Sequence, residues 1–292
     1  IPMFVVYGDN IMGTNLNSIL DLSSFIKSNP DLFVITGAGV SHGSGIPTYR
    51  DDAGSWKSQN PIQHGAFLKD ESVRKRYWAR SFIGWPNVAS AKPNQAHHSL
   101  VDLEIKGYIG TLVTQNVDRL HQRAGHHQVV DLHGRLDQVI CMDCGKLTCR
   151  QELQKWLHEN NTQFKKRDAV PVAVLPDGDA EIEGVIEQGM KVPTCVSCSG
   201  LLKPNVVFYG STVKKEVVQK LNDRLLKADA LLVIGTSLMV YSSFRFCKLA
   251  SQNNIPIICI NQGQTRADEL FSLKIVGECS DTLSKLGRLL VN

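Results

Sequence analysis

Apolar residues at Leu16, Ile19, Leu20, Leu22 and Ile26 recur with helical spacing, and this pattern predicts an amphipathic helix over residues 15–28. Pro30-Asp31 ends it. The pattern then changes period. Residues 32–36 form a short unbroken apolar run rich in β-formers, which feeds directly into Gly37-Ala38-Gly39. Strand, glycine turn and helix together open a dinucleotide-binding βαβ unit. Similar strand-length runs occupy residues 110–114, 129–132, 205–208, 231–234 and 257–260, and they end in QNVD, HG, YG, GTS and NQG. Ligands of open α/β sheets bind beyond the carboxyl ends of the strands. These polar strand ends therefore predict one shared site.

Two stretches break the rhythm. Residues 50–92 contain no strand pattern but several helical ones, and residues 135–200 carry cysteine pairs, a charged segment and "LPDGDAEIEG". The expected fold is α/β: a Rossmann-like parallel sheet built from 1–49, 93–134 and 201–292, a helical module with a cofactor loop over 50–92, and a small zinc-binding domain over 135–200. A length of 292 residues, 42% of them hydrophobic and 21% charged, suits a soluble globular chain of this kind. No apolar run approaches the length of a membrane span. The net charge is +4, and the short basic runs at 74–76 and 165–167 are too sparse for a nucleic-acid footprint. The sequence starts at Ile1, so a targeting segment already removed would leave no trace in it.

Four of the eight cysteines form two C-x-x-C units, Cys141/Cys144 and Cys195/Cys198, each followed closely by glycine. Two such knuckles supply four thiolates for one tetrahedral zinc. A closed four-thiolate site leaves no position for a substrate, so this metal is structural. Matched pairs in a chain of this length favour metal over disulfides and place the protein in a reducing compartment.

Gly37 and Gly39 let the backbone come close to a pyrophosphate, with a helix amino end behind it. The same G-x-G also serves a tight strand-to-helix turn with no ligand. A hydride-transfer fingerprint requires a third glycine at position 42, where this chain has His42. His133 stands at a strand end and is a candidate base. Asn116 and Asp118 end the neighbouring strand, where turn capping is the plainer role.

In order, "GAGVSHGSGIPTYR", "TQNVDRLH", "LHG", the two C-x-x-C units, "KPNVVFYG", "GTSL" and "INQG" resemble the sirtuins over roughly residues 30 to 290. Sirtuins remove acyl groups from lysine while consuming NAD. The resemblance implies that Gly37, Ala38, Gly39, Thr48, Tyr49, Arg50 and Trp56 enclose NAD, and that Gln115, Asn116, Val117 and Asp118 border the nicotinamide. Gly235, Thr236 and Ser237 would meet ribose and phosphates, with Asn261, Gln262, Gly263 and Cys279 on the adenosine side. His133 would be the general base, with Asn116 and Asp118 completing the catalytic set. The products would be nicotinamide, free lysine and acyl-ADP-ribose. An acylated lysine protein would add as an extended strand along Val206, Val207, Phe208, Tyr209 and Gly210. The chain departs from many sirtuins at Thr48-Tyr49, where aspartate and phenylalanine are common, and in "FYGST", where "FGE" is common.

Tyr77 and Arg80 lie three apart in "RYWARSFIGWP", so on a helix they face the same way. In sirtuins that handle acidic or long acyl chains, such a pair lines the acyl pocket, with arginine as a bidentate partner for a carboxylate. The alternative is an amphipathic helix with a snorkelling arginine. Several phrases, "RYWARSFIGWP" and "VPTCVSCSG" among them, resemble class II sirtuins, and "LPDGD" resembles a loop that shapes their acyl pocket. The resulting expectation is an NAD-dependent deacylase of long or acidic acyl-lysines, a monomer that binds neither nucleic acid nor membrane. It would be mitochondrial in a eukaryote and cytoplasmic in a bacterium. Protein mono-ADP-ribosylation and lipoamidase activity are the alternatives.

Overall fold

The computed structural model describes residues 4–5, 16–51, 53, 55, 61–167, 175–179 and 189–290. The first described strand, β1, is Phe4–Val5, and helix α1 is Leu16–Ser28. β2 (Leu32–Thr36) leads into a short α2 (Ala38–Ser41). The chain then forms α3 (His64–Lys69), α4 (Glu71–Ser90) and α5 (Gln95–Ile105) before β3 (Ile109–Thr114), α6 (Leu120–Ala124) and β4 (Val129–Asp131). β5 (Gly134–Cys141), β6 (Leu147–Cys149), α7 (Arg150–Asn160) and β7 (Leu202–Val206) make up the small module. α8 (Lys215–Leu225), β8 (Ala230–Ile234), α9 (Tyr241–Gln252), β9 (Ile257–Ile260), β10 (Leu273–Ile275) and α10 (Cys279–Leu289) complete the fold.

The large sheet runs β1-β10-β9-β8-β2-β3-β4, and every neighbouring pair is parallel. Residues of β2, β8 and β9 are buried throughout, which explains their unbroken apolar runs: both faces of the sheet are covered. Alternation then decides which cluster each residue joins. Val34, Leu112, Leu232 and Ile258 pack with Ile19 and Leu22 of α1, Leu100 of α5 and Leu283 of α10. Phe33, Val113, Leu231 and Ile257 pack on the other face with Leu221 of α8 and Phe246 of α9. Each fully buried side chain of this size contributes about 1.5–3 kcal/mol.

From β2 the chain proceeds outward to β3 and β4 on one side. It later returns to β8, β9 and β10 on the other. The order of connection therefore reverses between β2 and β8, where a crevice opens beyond the strand ends.

The second sheet is antiparallel, in the order β6-β5-β7. This corrects one expectation. The strand anticipated at residues 205–208 runs instead over Leu202–Val206 and pairs with β5, not with the large sheet. An apolar run signals a strand but not the sheet it joins. The small sheet thus draws on residues outside 135–200 at both ends. Residues 50–92 do form helices, yet they do not stand apart: Trp78 and Phe82 of α4 share one core with Val139, Leu153, Leu157 and Leu202 of the small module. Arg150 is buried in this junction, with its guanidinium 4.6 Å from the Trp85 ring centroid and hydrogen bonds to Gln154 Oε1 (2.7 Å) and Ser81 Oγ (3.1 Å). None of the eight cysteines is joined in a disulfide. No helix among the described residues is long and apolar enough to cross a membrane.

Candidate active site

The glycines after β2 are required by the neighbouring strand end. A Cβ on Gly37 would stand 2.5 Å from Thr236 Cβ, and one on Gly39 would stand 2.8 Å from Gly235 Cα. The backbones are joined there: Gly37 N donates to Ile234 O (3.1 Å) and Gly39 N to Gly235 O (2.8 Å). The G-x-G turn therefore closes the switch point by contact between two loops, and the walls of the crevice form around that contact.

Beyond β3 a hydrogen-bonded chain fixes the polar side chains. Asn116 Nδ2 donates to Gly37 O and to Ser41 Oγ, both at 3.0 Å. Ser41 Oγ in turn donates to Asp118 Oδ2 at 2.7 Å, while Leu120 N donates to Asp118 Oδ1 at 2.9 Å. Burial raises the Asp118 pKa, and these hydrogen bonds oppose the rise. Gln115 Nε2 donates to Thr236 Oγ1 at 2.9 Å, tying the end of β3 to the end of β8.

His133 follows β4. Its Nδ1 lies 3.2 Å from Gln115 O and its Nε2 lies 2.7 Å from Ser242 Oγ. A carbonyl only accepts, so Nδ1 carries the proton. Nε2 is then left with a lone pair, to which the Ser242 hydroxyl donates. Burial lowers the His133 pKa to about 4, against a smaller upward effect of the Gln115 carbonyl. The imidazole is thus neutral at pH 7, with Nε2 as its basic nitrogen.

Two cavities meet at His133. The first, about 310 Å³, runs from Tyr77 and the loop 175–179 to Val206–Val213 and the start of α9. The second, about 380 Å³, runs from the Gly37 turn and Arg50 to Asn261 and Cys279. Ala38, Tyr49, Gln115, Asn116, His133, Tyr209 and Val240 line both. The expected cofactor residues line the second cavity, except for Val117 and Asp118, which line the first, and Trp56, which lies outside the described residues. Val206, Val207, Phe208, Tyr209, Gly210 and Tyr77 line the first cavity.

Arg80 does not reach the cavity wall. Its Nε is 3.0 Å from Asp179 Oδ1, and both side chains are largely buried. Pro176, Asp177 and Asp179 form the wall instead. Gly178, at φ +70°, supports the tight turn of this loop, and Leu175 N donates to Asp179 O at 2.6 Å. Burial raises the Asp177 pKa, and Tyr49 hydrogen-bonds its carboxyl. The sequence marked this loop but not the partner that its second aspartate would take. Ser41, Ser242 and Arg245 also belong to the site and were not singled out. A serine inside "GAGVS" or "VYSSF" carries no signal of its own until the fold brings it to Asp118 or His133.

In the small module, Cys141, Cys144, Cys195 and Cys198 point their sulfurs together, all within 4.8 Å of one another. Tetrahedral Zn–S bonds of about 2.3 Å set sulfurs about 3.8 Å apart. The Cys141–Cys198 and Cys144–Cys195 separations are 3.5 and 3.7 Å, so the cluster fits one zinc ion.

The Sir2 family model matches residues 37–242. NAD-dependent protein deacetylase 2 of Bradyrhizobium diazoefficiens is 51% identical over 265 residues, covering 91% of this chain and 96% of that one. The mitochondrial NAD-dependent protein lipoamidase sirtuin-4 of Bos taurus is 43% identical over 268 residues, covering 91% of this chain and 84% of that one. Among solved structures, a Sir2–p53 peptide–NAD+ complex superimposes with a TM-score of 0.70 at 27% identity, covering 90% of this chain and 95% of that one.

Proposed function

This chain belongs to the Sir2 family, and from that premise we propose that it is an NAD-dependent protein lysine deacylase acting on long acyl chains. The observation that carries this reading is the meeting of the two cavities at a neutral His133, whose unprotonated Nε2 accepts from Ser242 Oγ at the wall they share. The second cavity would hold NAD, which supplies an electrophilic ribose carbon and nicotinamide as leaving group. Asn116 and Asp118, held in place through Ser41, would border the carboxamide. His133 Nε2 would take up the proton of a ribose hydroxyl held beside it, a general-base contribution of roughly 10²–10⁴ in rate. With one water consumed, the products would be nicotinamide, free lysine and O-acyl-ADP-ribose. The four cysteines would hold one structural zinc away from the chemistry.

The acylated lysine would enter between residues 206–210 and 237–241 as an added strand, with its acyl group in the first cavity. At the Tyr77 end that cavity presents Asp177 and Asp179 rather than a cation, because Asp179 already balances Arg80. A carboxylate at the acyl terminus would find no unbalanced cation there, so we assign this end to a neutral long acyl group. The lipoamidase relative fits this assignment. An acidic acyl group would require Asp179 to release Arg80.

Mass spectrometry of lipoyl-, acetyl- and hydroxymethylglutaryl-lysine peptides with NAD tests the proposal. Wild type is expected to cleave lipoyl faster than hydroxymethylglutaryl, His133→Ala to lose roughly 10²–10⁴ in rate, and Asp179→Asn to shift the ratio toward the acidic acyl. Removal of no acyl group, with ADP-ribose appearing on protein, would replace deacylation by ADP-ribosyl transfer.

A further inference from the structure

The first cavity holds a cation that the reaction outlined above does not use. Arg245 lines its wall, and among the described lining residues it is the only lysine or arginine. Its Nε is buried without a hydrogen-bond partner. No carboxylate lies within ion-pair distance of it among the described residues. Its guanidinium carbon rests 5.2 Å from the centroid of Tyr241, a ring that is itself half-exposed.

Two further features make the position unusual. Ser242, one turn earlier on the same helix, touches His133 Nε2 at 2.7 Å. A helical turn advances about 5.4 Å, so Arg245 stands near the reacting centre and not at a remote rim. Arg266 stacks on Phe244 at 4.5 Å and lies 6.0 Å from the Tyr241 centroid, with NH1 donating to Met239 O at 3.2 Å. Two cations thus stack on the Tyr241 and Phe244 rings, and neither has an ion-pair partner among the described residues. Aromatic faces compensate part of their desolvation. They do not satisfy a guanidinium fork, whose natural partner is a carboxylate held by two parallel hydrogen bonds. The amino end of α9, a 12-residue helix, adds a field of the same sign.

We propose that Arg245 binds a carboxylate of the protein substrate, supplied by an acidic side chain next to the acylated lysine. The proposal rests on reading this cavity as the acyl-peptide site. It gives the cavity two electrical ends. Asp177 and Asp179 lie beside Tyr77 at one end, and Arg245 lies beside Tyr241 at the other. A substrate carrying its negative charge at the Tyr241 end would be oriented by both. Arg80, the arginine that the sequence pattern suggests for this task, is neutralised by Asp179, and the unbalanced charge sits on α9 instead.

The test uses four fluorescent peptides: a neutral (lipoyl) or an acidic (hydroxymethylglutaryl) acyl group, each with glutamate or glutamine beside the lysine. Affinity is read by anisotropy at low and physiological salt, and turnover by mass spectrometry, for wild type, Arg245→Gln and Arg245→Lys. An NAD-induced thermal shift equal to that of wild type shows that each variant is folded. Wild type is expected to favour the glutamate peptides over the glutamine ones by about tenfold, more at low salt. Arg245→Gln should bring that ratio to about one, and Arg245→Lys should keep part of it. A preference that follows the flanking residue supports the proposal; one that follows the acyl group instead overturns it together with the neutral-acyl assignment. A ratio equal in wild type and Arg245→Gln overturns the proposal. If no peptide is turned over but the affinity ratio still depends on Arg245, the deacylase reading fails and the carboxylate site stands.

Discussion

At the scale of single residues, the tautomer of His133 carries the most consequence. The Gln115 carbonyl holds the proton on Nδ1, and burial lowers the pKa to about 4. The proposed base is therefore unprotonated, and available, at every pH well above 4. On the acid side, kcat/KM of the free enzyme should stay level from pH 8 to about 5 and fall only as pH approaches 4. An acid limb centred on 6.5, the ordinary histidine value, would show that the imidazole is solvated in solution. The position of His133 at a strand end was legible in "LHG". Its proton was not, because Gln115 is 18 residues away and Ser242 is 109 away, and only folding joins them. Arg80 teaches the same lesson. Its spacing from Tyr77 was readable from helical geometry, but its partner Asp179 lies across a tertiary contact that no local pattern announces.

At the scale of elements, the turn after β2 is the most constrained. Gly39→Ala would drive a Cβ to 2.8 Å of Gly235 Cα, backbone against backbone, and neither loop has a flexible side chain to move aside. It should cost about 1–3 kcal/mol of stability. It should also weaken NAD binding, by separating β2 from β8 where the second cavity begins. Thermal unfolding with and without NAD measures both effects. The zinc knuckles make a different prediction. Chelation should leave the large sheet folded and open the small one, since the ends of β5 and β7 are tied near the thiols through Met142 N to Leu201 O (2.8 Å) and Cys195 N to Gly200 O (2.9 Å). Limited proteolysis should then cut between residues 142 and 201, with metal analysis giving one zinc per chain beforehand. Most strands of the large sheet were legible because full burial writes them as unbroken apolar runs. β7 was placed in the wrong sheet because its partner β5 is polar at several positions and carries no comparable run.

At the scale of the molecule, acid stability follows from a buried histidine cluster. The His97 and His121 rings are 4.8 Å apart, and those of His121 and His126 are 5.2 Å apart, all of them buried. Burial lowers the pKa of His97 to about 3 and shifts those of His121 and His126 in the same direction. Between pH 6.5 and these values the unfolded chain binds protons that the folded chain excludes, so stability declines as pH falls. Each such histidine removes up to about 1.4 kcal/mol per pH unit within its window. Asp118 and Asp131, whose pKa values are raised, act in the opposite sense and soften the decline only near the carboxylate range. Urea midpoints should therefore drop steadily from pH 7 to 5; a flat profile would mean that water already reaches the cluster.

The small sheet has one further consequence. The chain leaves the large domain at Gly134 and returns at Val206, and these two residues are register partners, with Val207 N donating to His133 O at 2.8 Å. Gly134 has φ +84°, and a Cβ there would fall 2.1 Å from Asn205 O, so the crossing closes only around glycine. Exit and entry thus form a single doubled hinge. The backbone of the proposed base and the first residues of the proposed peptide groove are thereby bonded to each other at the crossing, so a shift of either is passed directly to the other.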